Sequence, residues 1–249
     1  MINKRLLQQY QILKERLYKH FSKYHHIEHL EGPRILVLAP HPDDDVFGCG
    51  GTLIRHVEQG HQVQIVYLCK GDKGISGVKA ASATAIRKEE AVNAAHILGI
   101  PAQQLFFFEQ ADNELKATEK IIQQLRDIIQ TYGPNLIYLP SFLDLHPDHI
   151  QTNWILKKTE LTDIKLCAYE IWTPFIPNRI VDISQQIEGK KRAMEAHESQ
   201  LQALNYKEAI LGLNQYRAQM YTKKQMAYAE TFLYMDIQAY FQLWKTNLL

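Results

Sequence analysis

"RILVLAPHPDDDVFGCGG" (residues 34–51) is the stretch on which the reading of this chain turns. After Arg34 comes the apolar run of 35–39, bounded by Gly32-Pro33 before it and Pro40 after it, which predicts a short buried strand over 34–39. "FGCGGTLIRHVEQG" (47–60) predicts a helix that stops at Gly60. Between strand and helix sit one histidine and three consecutive carboxylates. Adjacent anions at a buried strand end repel one another with little water to screen them, so a nearby cation should compensate.

Outward from this stretch the chain alternates strand and helix. "VQIVYL" (63–68) and "LFFF" (105–108) read as strands. So do "NLIYLP" (135–140) and "KLCAYEIW" (165–172), with a shorter strand "TFLYMD" at 231–236. Helices are predicted over 84–99, 117–131, 150–158 and 188–204. Leu6, Leu7, Tyr10, Leu13, Leu17 and Phe21 recur at helical spacing, which predicts an amphipathic helix over 4–24. The pattern is α/β: a Rossmann-like, mostly parallel sheet with helices on both faces. No repeat or low-complexity linker divides it, so residues 33–249 read as a single domain behind a helical extension, 1–32. In the commonest strand order the strands at 34–39 and 135–140 are neighbours where the winding reverses, and ligands bind beyond their carboxyl ends. "HPDDD" follows one and "DLHPDH" (144–149) follows the other.

Composition narrows the function classes. The 249 residues are 46% hydrophobic and 22% charged, ordinary for a globular protein, and the net charge of +1 weighs against nucleic acid or an anionic membrane as partner. Cys49, Cys69 and Cys167 have no CxxC spacing and fit buried thiols in a reducing compartment. The charged first 30 residues lack the apolar core of a signal peptide, and no run reaches the ~18 apolar residues of a membrane span. A cytoplasmic protein is the expectation.

His41 and Asp44, and likewise His146 and His149, lie three apart where strand turns into helix. Two imidazoles and a carboxylate converging on one point, with a position left open, are the ligands of a catalytic zinc site, and a neighbouring carboxylate can serve as general base. Alone, either cluster also reads as a turn with an Asp N-cap and a Pro in the first helical turn. Their pairing at two adjacent strand ends favours a metal site. His20, His25, His26, His29, His56, His61 and His96 read as surface or helix-face residues. "GCGG" lacks the Lys-Ser/Thr of a phosphate loop, and its glycines read as allowing close helix–strand packing.

The combination resembles the PIG-L/LmbE-type zinc-dependent N-deacetylases, which remove acetyl groups from N-acetylglucosamine-containing substrates. Minor matches follow in order: "KGDKG" (70–74), "IRKEEAVNAAHILGI" (86–100), "KRAMEAHESQ" (191–200) and "YAETF" (228–232). The resemblance implies His41, Asp44 and His149 as ligands of Zn2+ or another divalent metal, and Asp43 as general base. It implies His146 as the histidine that polarises the carbonyl and protonates the amine, Asp148 as the carboxylate that orients it, and Arg87 as a substrate contact. An Arg87–Glu90 helix ion pair is the plain alternative for that arginine. His197, between Glu195 and Glu198, reads as a structural histidine. Phe142 stands where substrate-facing residues are expected and suggests stacking on a sugar or its aglycone. Asp45 replaces the family's usual Glu and is one methylene shorter. The expected substrate is a small N-acetylated amino sugar, with a homo-oligomer possible through the N-terminal helix. The rivals are an amidohydrolase acting on a non-sugar amide and a non-catalytic sugar- or nucleotide-binding module.

Overall fold

The structure, a computed structural model, describes residues 25–27, 30–202, 205–220 and 226–245. The helix expected over 4–24 lies outside them.

Among the described residues eight strands form one sheet: β1 His25–Ile27, β2 Arg34–Ala39, β3 Gln62–Cys69, β4 Leu105–Gln110, β5 Leu136–Pro140, β6 Lys165–Tyr169, β7 Arg179–Asp182 and β8 Ala229–Asp236. Their order is β1-β7-β8-β6-β5-β2-β3-β4. Every pairing is parallel except those of β8, which runs antiparallel to both β6 and β7. β2 and β5 do lie side by side, Ile35 opposite Leu136 and Val37 opposite Tyr138, so the two polar clusters leave the sheet at adjacent strand ends.

The helices are α1 Asp44–Glu58, α2 Ala80–Ile97, α3 Glu119–Tyr132, α4 Pro147–Lys158, α5 Ile187–Glu195, α6 Glu198–Leu201, α7 Tyr206–Met220 and α8 Ile237–Lys245. Parallel strands covered on both faces need apolar side chains at every position, which is why β2 and β5 read as unbroken runs. Alternate residues then serve different cores: Ile35, Val37 and Ala39 pack with α1 and α2, while Leu36 and Leu38 pack with α3, α4 and α8. α2 turns Ala83, Ala91, Ala94 and Ala95 inward, small residues that let it pack closely against α5.

Three departures from the expected elements have physical causes. α1 begins at Asp44 and is broken at Cys49 (φ −144°, ψ 15°). Glu230 of β8 caps the restarted helix, accepting hydrogen bonds from the amides of Gly51 (2.9 Å) and Thr52 (2.7 Å). The helix expected over 188–204 divides at His197, because the Ser199 amide and hydroxyl bond to Glu90 and Gln200 bonds to the Gly74 carbonyl. The strand expected to run to 172 stops at Tyr169, and Glu170 instead accepts the Phe175 amide across a turn. β1, β7, α7 and α8 were not expected. β1 and β7 are too short for a pattern of alternation, having three and four residues.

Candidate active site

Five loops leave the carboxyl ends of β2 to β6 along one edge of the sheet and, with α7, enclose a cavity of about 410 Å³. This is the crevice where doubly wound sheets bind ligands, and the size is within the roughly 300–1,000 Å³ typical of small-molecule sites.

At its floor the β2–α1 turn folds the Asp44 carboxylate back on the chain. Its Oδ2 accepts the His41 amide (2.8 Å), lies 3.1 Å from His41 Nδ1, and lies 3.3 Å from Nε2 of His149. His149 rides on the first turn of α4 and is fully buried, yet neither ring nitrogen has a well-aligned hydrogen-bond partner. The donor nitrogens of His41, His146 and His149 all come within 4.8 Å of one another. Burial would push His41 and His149 down, but Asp148 and Asp44 raise His41 to about 10, while Asp44 and Asp144 raise His149 to about 9. Both rings are thus imidazolium at neutral pH when no ion is present, and Asp44 is held ionised well below the usual carboxylate range.

The residues fit a divalent cation on two grounds. Ligands at about 2.0–2.2 Å from a tetrahedral ion sit a little over 3 Å from one another, the separation found here around Asp44. A divalent ion would also replace, charge for charge, the two protons that His41 and His149 otherwise carry. His41, Asp44 and His149 would hold it, with His146 at the same focus.

Around these groups the structure sorts the other expected residues. Asp43 lines the cavity, and its Oδ2 lies 3.1 Å from Nη2 of the buried Arg87, which also donates to the Pro42 carbonyl (3.2 Å). Burial raises the Asp43 carboxyl although Arg87 opposes the shift. Arg87 therefore belongs to the site and not to a pair with Glu90, whose carboxylate is taken by Ser199. Asp148 does not orient His146. Its Oδ2 is 3.0 Å from Nε2 of His41, and the two oxygens also accept the amides of Asn113 and Leu115. The cause is its place in the first turn of α4, which brings its own amide to His146 Nδ1 while its carboxylate points toward β2. His146 lines the cavity, and burial lowers its pKa. Asp45 is buried, takes the Tyr67 hydroxyl at 3.1 Å and is raised to about 7 by burial, despite that bond.

Phe142 is a correction. It is buried in the second core, 4.9 Å from the Tyr240 ring and 6.2 Å from that of Trp244, and does not line the cavity. His56, expected at the surface or on a helix face, sits on α1 and is fully buried between Tyr138 and His61. His197 is buried as a structural residue would be, but both its ring nitrogens lack partners.

Several site residues escaped the sequence reading. Asp144 contacts His149 Nδ1 (3.3 Å) and accepts the amides of His146 and Trp172 (both 3.0 Å), so one carboxylate ties a candidate metal ligand to the β6 loop. It stands inside "DLHPDH", but nothing local says which carboxylate meets which imidazole. Lys73, Asp112, Asn113 and Trp172 on distant loops and Tyr206 on α7 add to the lining. The minor motifs have structural partners, Glu90 with Ser199 and Gly74 with Gln200, and Glu230 of "YAETF" meets Lys190, the residue just before the 191–200 motif (2.6 Å).

The family model for PIG-L, GlcNAc-PI de-N-acetylase, matches residues 36–159, a span that contains both polar clusters. The diacetylchitobiose deacetylase of Thermococcus kodakarensis is 28% identical over 67% of this chain and 70% of its own length. The 4-oxalmesaconate hydratase of Pseudomonas putida is 30% identical over a shorter match, 44% of each chain. In fold, N,N'-diacetylchitobiose deacetylase from Pyrococcus horikoshii superposes with a TM-score of 0.74 over 92% of this chain and 90% of that one, at 22% identity. Family model, fold and sequence relatives converge, and the chain belongs to the PIG-L family of N-deacetylases.

Proposed function

We propose that the protein is a zinc-dependent hydrolase that removes the acetyl group from an N-acetylated amino sugar, an N-acetylglucosamine derivative, leaving a free amine and acetate. The observation that carries this reading is Asp43: a carboxylate in the cavity wall, one residue from the candidate ligand Asp44 and anchored by the buried Arg87.

His41, Asp44 and His149 would hold a divalent ion, which would supply Lewis acidity toward an amide oxygen and make water easier to deprotonate near neutral pH. The chain's own residues do the proton work. Asp43 accepts a proton from the attacking water as general base. Arg87 fixes that carboxylate's orientation through its Nη2. His146 lines the cavity and its Nδ1 accepts the Asp148 amide, so its Nε2–H is the donor that would stabilise the oxygen of the tetrahedral adduct. The proton that Asp43 took from the water would go to the departing nitrogen. The C–N bond breaks, the water's oxygen remains on acetate, and its protons pass to the amine. Asp148 and Asp144 hold His41 and His149 in place, the outer-shell support that metal-binding imidazoles need.

A binding module would have no use for a base beside a metal site, and the hydratase match covers less of both chains than the deacetylase match. The deciding experiment is amine release from a panel of N-acetylglucosaminides and non-sugar acetamides. Release from sugars, abolished by a chelator and restored by zinc, is expected. Release from the non-sugar amides alone would reassign the substrate, and a zinc-loaded protein that releases amine from neither would sink the reading.

A further inference from the structure

The cavity is two-faced, and the proposed deacetylase accounts for one side only. Near the histidines its lining is polar. Beside them an apolar stretch of wall is built from Ile171, Trp172 and Pro174 of the β6 loop and Tyr206, Ile210 and Leu213 of α7. Among these side chains the only hydrogen-bonding groups are one indole N–H and one hydroxyl. Hydroxyl or carboxylate groups aimed at this wall would stay largely unpaired, at a cost in binding.

The wall is also braced. Glu170, just before it, accepts the Phe175 amide (2.8 Å) and the Thr231 hydroxyl (2.7 Å) and is gripped by Arg217 of α7. The same guanidinium donates to the Phe175 carbonyl (2.6 Å). The loop and α7 are thus pinned to each other behind the surface they present. Trp172 is fixed on the cavity side by its amide bond to Asp144 and packs edge-on against Tyr206 at 5.0 Å, yet it remains 48% exposed. Ile176, two residues beyond Pro174, is 55% exposed, and Leu145, next to His146, is 81% exposed. A large aromatic ring held rigidly and left half-uncovered beside a reaction centre is a surface prepared for an apolar ligand.

We propose that this wall is an aglycone subsite and that the physiological substrate is an amino sugar carrying an apolar alkyl or aryl substituent, seated on the joint surface of Trp172 and the cavity-lining face of α7. The inference rests on the deacetylase reading for the sugar half, and the wall itself specifies the other half.

The test pairs binding with turnover, using methyl, hexyl and phenyl glycosides of N-acetylglucosamine. Affinities are measured calorimetrically on the metal-free chain, and acetate release on the zinc-loaded chain. The hexyl or phenyl glycoside is expected to bind at least about tenfold more tightly than the methyl glycoside, given roughly three- to fourfold per buried methylene. A larger gain for phenyl assigns an aryl substituent stacked on Trp172, and a larger gain for hexyl assigns an alkyl one. Trp172→Ala, and Ala209→Glu on the exposed part of α7 that lines the cavity, should each collapse the ratio toward one. Acetate release with equal binding of all three glycosides would overturn the subsite and leave the deacetylase standing. A ratio that survives both variants would overturn it as well. An apolar preference that both variants abolish, without acetate release from any glycoside, would uphold the subsite and remove the deacetylase.

Discussion

The Asp148 carboxylate lies 3.0 Å from Nε2 of His41, across from the Asp44 oxygen at Nδ1 of the same ring. His41 is thereby held on both nitrogens, and Asp148 is bound to the ring that would hold the ion, not to the ring proposed to stabilise the oxygen of the adduct. Asp148→Asn should lower metal affinity by about 10–100-fold, the usual effect of losing an outer-shell carboxylate, as measured by competition with a chelator. If the variant kept its metal affinity and lost only turnover, the carboxylate would be acting on His146 instead.

Asp43 gives the complementary prediction. Its carboxylate faces the cavity and contacts Arg87, while the ring nitrogens of His41 are taken by Asp44 and Asp148. Asp43→Asn should therefore keep zinc at wild-type stoichiometry while turnover falls about 10²–10⁴-fold. Loss of zinc in this variant would make Asp43 a ligand, and near-normal turnover would end its assignment as base.

How much of this was legible differs by scale. The buried runs of β2 and β5 and the polar turns that follow them are properties of contiguous residues, so the crevice and its four histidine and aspartate positions could be located from the chain alone. "GCGG" likewise read as packing glycines, and a Cβ at Gly48 would stand 2.3 Å from the Tyr169 ring. What could not be read is which partner each group meets. "DLHPDH" offers two carboxylates and two imidazoles, and only the turn into α4 decides that Asp148 goes to His41 and Asp144 to His149. Phe142 looked substrate-facing because it precedes the cluster, but its amide donates to the Tyr240 hydroxyl (2.9 Å) and its ring packs on α8, an element that was not foreseen. Trp172 became visible only once the strand was seen to end three residues earlier.

Lys190 and Glu230 illustrate a cost of that tertiary wiring. The lysine is fully buried, with Nζ on Glu230 (2.6 Å), Asn214 (3.0 Å) and the Phe47 carbonyl (3.0 Å), and Glu230 caps the break in α1. Lys190→Met strands a buried carboxylate and should destabilise the fold by about 3–5 kcal/mol. Adding Glu230→Gln removes the charge while its amide oxygen can still accept from Gly51 or Thr52, so the double variant should recover part of that loss. Urea unfolding of the three proteins checks this. A double variant less stable than Lys190→Met would mean that the carboxylate's charge matters more than its pairing.

His56 makes stability depend on pH. Its Nε2 lies 2.9 Å from the Tyr138 hydroxyl and its Nδ1 2.9 Å from His61. Burial, with the positive charges of His61, Arg55 and Arg179, pushes the ring from its ordinary 6.5 down to about 3. Unfolded, the same ring takes up a proton near 6.5, so below that value the unfolded state binds the extra proton and stability falls as pH drops toward 3. The slope approaches about 1.4 kcal/mol per pH unit, so the step from pH 7 to pH 5 should cost about 2 kcal/mol through this residue. His56→Gln can still meet Tyr138 but cannot titrate, and its loss of stability between pH 7 and pH 5 should be smaller than wild type by that amount. His197, lowered to about 3 by its own burial, contributes to both proteins alike and drops out of the difference. Equal losses in the two would place the acid sensitivity elsewhere.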